Sequence, residues 1–173
     1  MLIEWIMNDD ELQILSTQLT FENGWDFWVK TNASAWDLKK MKQIYTIRTI
    51  ADMWHILNNV PSQYVGICNI FIMHSGVKPL WESNGSMFQN GGCWSVVIRK
   101  HGWRDILNEL VMSLVGEMFF GDNVKGACII PVSTTHVICK IWCTSKMIKD
   151  STSLTNALST FGADGARFKQ FVI

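Results

Sequence analysis

Two tryptophans and a glutamate stand where they add little to a fold. Trp36 lies in the polar stretch TNASAWD, and Trp81-Glu82 open WESNGSMFQNGG, a run rich in Ser, Asn and Gly. Such composition reads as surface loop. Indole faces carry negative quadrupole charge and attract flat cations by about 0.5–2 kcal/mol per face. A cation slotted between two indoles collects that twice, with about 1–3 kcal/mol of stacking per contact. A carboxylate at the slot's edge adds direction. Glu82 can accept two parallel hydrogen bonds from the N1–H and exocyclic amine of a guanine, which rejects bases that present acceptors there. An alkylated guanine is both flat cation and paired donor, so the trio suits N7-methylguanine. The opposing reading folds one or both indoles back onto the core.

The elements that must position these groups follow from periodicity. WDFWVK (25–30) and MKQIYTI (41–47) read as strands, as do CNIFIMH (68–74) and CWSVVIRK (93–100), the last entered through the turn Asn90-Gly91-Gly92. ACIIPV (127–132) and HVICKIW (136–142) form a hairpin around Ser133-Thr134-Thr135, and RFKQFVI closes the chain as a strand. Thr49-Ile50-Ala51-Asp52 has the form of a capping box opening a helix that ends before Pro61. From Trp103 to Phe119 apolar residues recur at 103, 106, 107, 110, 111, 114, 115 and 118, one stripe at helical period. SLTNALSTF is a weaker helix. Residues 1–22 read as a short helix capped at Asn8-Asp9-Asp10 or as a loose arm, and Trp5 has no evident place. The sum is α+β: a curved antiparallel sheet, joined mostly by hairpins, with helices packed on the convex face.

Composition excludes several classes. The 173 residues are 48% hydrophobic and 17% charged, which suits one packed domain over 1–173. No apolar run approaches the roughly 20 residues of a membrane span, and the acidic MLIEWIMNDDE is not expected to be a secretory signal. Five cysteines, an odd number without a CxxC pair, point to buried reduced thiols in a cytoplasmic protein rather than to zinc or disulfides. The triplets Asn32-Ala-Ser34 and Asn84-Gly-Ser86 are then not glycosylation sites. Lys+Arg equals Asp+Glu at 15 each, so any nucleic acid is met through a compact feature rather than a basic footprint. No nucleophile–base pair, metal set or phosphate-cradling glycine loop is present; GDNVKG fits neither fingerprint, and His55, His74, His101 and His136 are scattered. Binding without catalysis, metal or cofactor is expected.

WDFWVK, the loop Trp36, TIADMWHILNNV, GVKPLWE, NGGCW, ELVMSLVGE and KIWCT occur in an order and spacing that resembles the eukaryotic translation initiation factor 4E family, the messenger-RNA cap-binding proteins. The resemblance runs from about Trp25 to Thr144. It implies a cap slot on the concave face, with Trp36 and Trp81 stacking, Glu82 reading guanine and Trp142 touching the N7-methyl group. Trp28, Trp94 and Trp103 read as core. On the convex face it implies a groove for a helical peptide of an initiation factor 4G-type scaffold or a binding-protein repressor. Ile50 and Trp54 share a helix face at i and i+4, and Glu109, Met112 and Gly116 point outward beside the long stripe. Asn108 stands where an apolar residue is usual. A monomer in the cytoplasm is expected.

Cys93, Ser133, Thr135 and Ile138 occupy positions where the family carries the basic residues that clamp the cap's phosphates. Alternation in HVICKIW turns Lys140 the same way as Trp142, so Lys140, with Arg167 or Lys169, is the candidate replacement. The tail after Trp142 is shorter than the family's, so part of its mobile basic loop is expected to be missing. The alternative function is a protein-interaction module that no longer binds cap, or that represses, and sequesters scaffold or repressor peptides.

Overall fold

Alternation along the first strand sends Trp25, Phe27 and Val29 to one face and Asp26, Trp28 and Lys30 to the other. This division organises the whole sheet. The computed structural model describes residues 19–31, 36–61, 63–100, 102–116, 121–145 and 164–171. Its strands are β1 (Thr20–Thr31), β2 (Met41–Thr49), β3 (Cys68–His74), β4 (Gly92–Arg99), β5 (Val124–Pro131), β6 (His136–Cys143) and β7 (Asp164–Gln170). They form a seven-stranded curved sheet in the order β2-β1-β3-β5-β6-β4-β7, antiparallel at every pair. The α+β architecture read from the sequence is the one observed.

Among the described residues three α-helices accompany it: α1 (Ile50–Asn59), the single turn α2 (Tyr64–Ile67) and α3 (Trp103–Val115). The capping box at α1 is real: Thr49 Oγ1 accepts from Asp52 N at 3.0 Å, and Asp52 Oδ2 accepts from Thr49 N at 2.9 Å. At the other end, Arg104 donates to the carbonyls of Leu57 (3.1 Å) and Val60 (3.0 Å). It thereby satisfies orphan acceptors of α1 from the first turn of α3. Ile106, Leu107, Leu110, Val111 and Leu114 of α3 pack with Met53, Ile56 and Leu57 of α1 against Phe27, Ile70, Ile72, Val96 and Ile98. That is the convex core. β3 is buried on both faces, which is why Ile70-Phe71-Ile72-Met73 reads as an unbroken apolar run.

Two expectations change in detail. β1 begins at Thr20, which pairs with Thr49, so residues 20–22 belong to the sheet and not to an arm. Residues 1–18, with Trp5 and the Asn8 cap, lie outside the described residues, as does SLTNALSTF. Only β1–β2 and β5–β6 are hairpin neighbours; β4 lies between β6 and β7 because α3, whose stripe needs the sheet's back, crosses behind it. Gly91 and Gly92 are required by crowding: a Cβ would strike the Cys143 carbonyl at Gly91, and the Lys169 carbonyl and Phe168 ring at Gly92. Among the described residues no helix is long and apolar enough to cross a membrane.

Candidate functional site

A second apolar cluster covers the concave face. Phe71, Met73, Phe88, Cys93, Cys128 and Trp142 are its buried members, with Trp28, Trp81 and Phe171 packed against it. Above this floor lies a cavity of about 390 Å³ lined by Trp36, Trp81, Glu82, Lys140, Trp142 and Lys169, with Phe171 and Cys93 between them. Loops after β1 and before β4 thus meet the ends of β6 and β7 in one place.

The loop that carries Trp81 is built rather than slack. Residues Trp81–Phe88 form 3-10 turns broken at Gly85, whose φ of 58° suits glycine. The Asn84 side chain staples the loop's entry, accepting from Lys78 N at 2.8 Å and donating to the carbonyls of Lys78 (3.0 Å) and Leu80 (2.9 Å). Phe88 is fully buried and pins the far end. Trp81 is half-buried and lies parallel to Phe171, with ring centroids 5.2 Å apart and 9° between planes. Phe171 in turn meets Phe88 and Trp142 edge-on. Glu82 is exposed.

Trp36 is 55% exposed, so it has not folded into the core. Asp37 caps the 3-10 turn Leu38–Lys40 that follows it, accepting from Lys39 N at 3.0 Å. The indole stands edge-on to Phe71 (6.2 Å, 88°), and the Lys30 ammonium sits 4.9 Å from its ring centre. Lys30 is only 2% exposed and donates to Thr31 O at 3.1 Å; burial, and then the charge of Lys40, hold its pKa below the usual lysine value.

The other predicted residues divide between two faces. Lys140 and Arg167 stand opposite Ser95 from either side, and Lys169 stands opposite Cys93. Lys140 and Lys169 line the cavity, whereas Arg167 lies exposed one rung further along. Trp142 is buried, its N–H beside the weakly accepting Cys128 sulfur and without a well-formed hydrogen bond. All five cysteines are free and buried, and burial pushes the thiols of Cys128 and Cys143 up to about 12, so they are neutral packing groups. On the convex side Trp54 (45%) and Met112 (38%) are exposed beside Gly116, with Ile50 and Glu109 half-buried. Trp54 is not covered by the sheet.

The family model for eukaryotic initiation factor 4E matches residues 20–162. The chain belongs to that family. Among its curated relatives, eukaryotic translation initiation factor 4E-3 of Arabidopsis thaliana is 30% identical over 115 residues, 62% of this chain and 47% of the relative. Factor 4E-1 of Caenorhabditis elegans is 26% identical over 115 residues, 62% of this chain and 52% of the relative. The chain spans about half the length of the curated relatives it matches. Of solved structures, C. elegans eIF4E-3 in complex with the 4E-binding protein Mextli and a cap analog superposes with a TM-score of 0.71 at 21% identity, over 88% of this chain and 92% of the other. Ascaris suum eIF4E-3 with m7G cap gives 0.68 at 21%, over 89% and 92%. These likenesses show the fold.

Four residues that shape the cavity escaped the sequence reading. Phe171 follows Arg167 and Lys169 at strand period, so alternation alone turns it to their face. Lys30 follows Trp28 by the same rule. Asn84 carries the usual signature of a side chain that closes its own loop. Phe88 had no local signal, since its burial depends on β6 and β7.

Proposed function

We propose that this member of the family binds the N7-methylguanosine 5′ cap of messenger RNA. Trp36 and Trp81 stack on the cationic base, Glu82 accepts from its N1–H and amine, and Trp142 lies against the methyl group. Lys140 and Lys169, with Arg167 next along, meet the phosphates in place of the absent family clamp. The observation that supports this reading is the convergence of two indoles, a carboxylate, a third indole and two ammonium groups on one cavity. Solved relatives of the same fold hold a cap analog or m7G cap. No step of this function breaks a bond.

The same proposal gives the convex face a helical peptide from a scaffold or a binding-protein repressor, with Ile50, Trp54, Glu109, Met112 and Gly116 as its contacts. Exposed Trp54 and Met112 on adjacent helices are what supports it. That patch also favours the second reading, a peptide-sequestering module with no cap affinity.

Quenching of tryptophan fluorescence by 7-methylguanosine triphosphate, against unmethylated guanosine triphosphate, decides between them. The methylated nucleotide is expected to bind more tightly. Trp81→Ala should weaken it roughly tenfold or more, the scale of one lost stacking contact. Equal quenching by both nucleotides would reject the cap-binding reading and leave the peptide module.

A further inference from the structure

A second concavity lies on the slot's face at the far end of the same strands. Arg99, Lys100, Thr134, Thr135 and His136 line an open pocket of about 660 Å³, and none of the described residues lining it is acidic. Arg99 and His136 are paired partners across β4 and β6. The register between these strands runs unbroken from Cys93–Trp142 to Arg99–His136. Alternation therefore puts Arg99 on the face of Cys93 and Val97, and His136 on the face of Lys140 and Trp142.

The pocket's walls are held in place. Lys100 N donates to Thr135 O at 2.7 Å, joining the end of β4 to the β5–β6 turn. Ser133 Oγ accepts from the backbone N–H groups of Thr135 and His136 at 3.2 and 3.0 Å, and Thr135 Oγ1 lies 2.8 Å from His136 Nδ1. The backbone that presents Arg99, Lys100 and Thr134 and the hydroxyl of Thr135 are thus held in place. In a chain with equal numbers of acidic and basic side chains, such grouping is local and not a by-product of overall charge.

We infer that this pocket takes backbone phosphates of the single-stranded RNA that follows the cap; the inference rests on the cap-binding reading above. Six residues of strand separate Cys93 from Arg99, roughly 20 Å at about 3.3 Å per residue. A triphosphate leaving Trp142 along β6 runs toward this turn, where the resemblance places the family's clamp, and the first nucleotides of the attached chain continue past it to Arg99. The path between is furnished for it. Lys140 and Arg167 flank Ser95 at the slot end, Val97 (42% exposed) follows between Ile138 and Asp164, the one carboxylate-bearing partner in the row, and the Arg99 pocket closes it. Cations spaced along an apolar strip are what a single strand uses, phosphates on the charges and base faces on the apolar groups, without reading sequence.

The test compares 7-methylguanosine triphosphate, a short capped oligoribonucleotide and the same oligonucleotide uncapped, each titrated over a range of salt. For the wild-type protein the capped RNA should bind more tightly than the nucleotide, with a steeper salt dependence. Arg99→Gln with Lys100→Gln should leave the nucleotide's affinity unchanged, which also shows that the variant is folded. The same change should weaken the capped RNA by roughly tenfold or more and flatten its log–log salt slope by about 1.4, two charges at about 0.7 each. Equal salt slopes for nucleotide and capped RNA in the wild type, a measurement that needs no variant, would overturn the inference, as would equal loss of both ligands in the variant. Failure of the nucleotide to bind in preference to its unmethylated form would instead overturn the cap-binding reading.

Discussion

The Trp81 indole lies flat on the Phe171 ring, 5.2 Å between centroids and 9° between planes. One side of this indole is therefore backed by protein, and the ring is held at a set angle before any ligand arrives. Stacked aromatic pairs contribute about 0.5–1.5 kcal/mol beyond the area they bury. Phe171→Ala is expected to weaken cap-nucleotide binding roughly two- to tenfold, while Phe171→Leu, which keeps bulk but not the flat face, falls between. Nucleotide titration by fluorescence checks both. Wild-type affinity in Phe171→Ala would show that the backing ring is irrelevant.

A buried ammonium beside Trp36 has a different consequence. Lys30 already places a positive charge 4.9 Å from the indole centre, where it competes for the ring's quadrupole and repels a cationic base. Lys30→Met keeps the stem and removes the charge. The ratio of affinities for methylated over unmethylated guanosine triphosphate should rise by a few-fold, on the scale of one cation–π contact. Any loosening of Trp36 would cost the cationic base a cation–π contact and lower the ratio instead, so the direction in which the ratio moves is the quantity to measure.

Three hydrogen bonds to one amide hold the loop that carries Trp81 and Glu82. Asn84→Ala removes all three; Asn84→Asp retains the acceptor and loses both donors. At about 1 kcal/mol per partly exposed bond, the alanine variant should unfold a few degrees lower. It should also bind cap nucleotide more weakly than the aspartate variant does. Calorimetric melting and the same nucleotide titration read the two effects separately.

Asp52 links pH to the start of α1. Partial burial pushes its carboxyl up, but hydrogen bonds from Arg48 N, the Tyr45 hydroxyl and Thr49 outweigh this and hold the pKa below the ordinary 3.8. A depressed carboxylate contributes stability above its unfolded value and loses it as pH falls through the folded one. Asp52→Asn should therefore melt several degrees below wild type at neutral pH. The gap should narrow as pH falls from about 5 toward 3. A gap independent of pH would contradict the assignment.

Local sequence determined much of this protein. Strand alternation at WDFWVK and HVICKIW, the α3 stripe and the Thr49–Asp52 box each rest on contacts within a few residues, so their faces, and the start of α1, were legible without neighbours, whereas α3 stops at Val115, short of the Phe119 its stripe suggests. The two loop indoles and the acid beside one of them were legible there too, and the fold brings all three to one cavity. Strand order was not, because period two says which face a side chain takes and not which strand lies next to it. β4 is inserted between β6 and β7, and this long-range pairing brings Trp36, Trp81, Trp142 and Phe171, from four separate segments, around one cavity. The same pairing buries Phe88 under a loop that composition alone renders as solvated, and aligns Arg99 with the slot at a distance no local pattern encodes. Those outcomes depend on burial shared among distant strands, which only the folded sheet can decide.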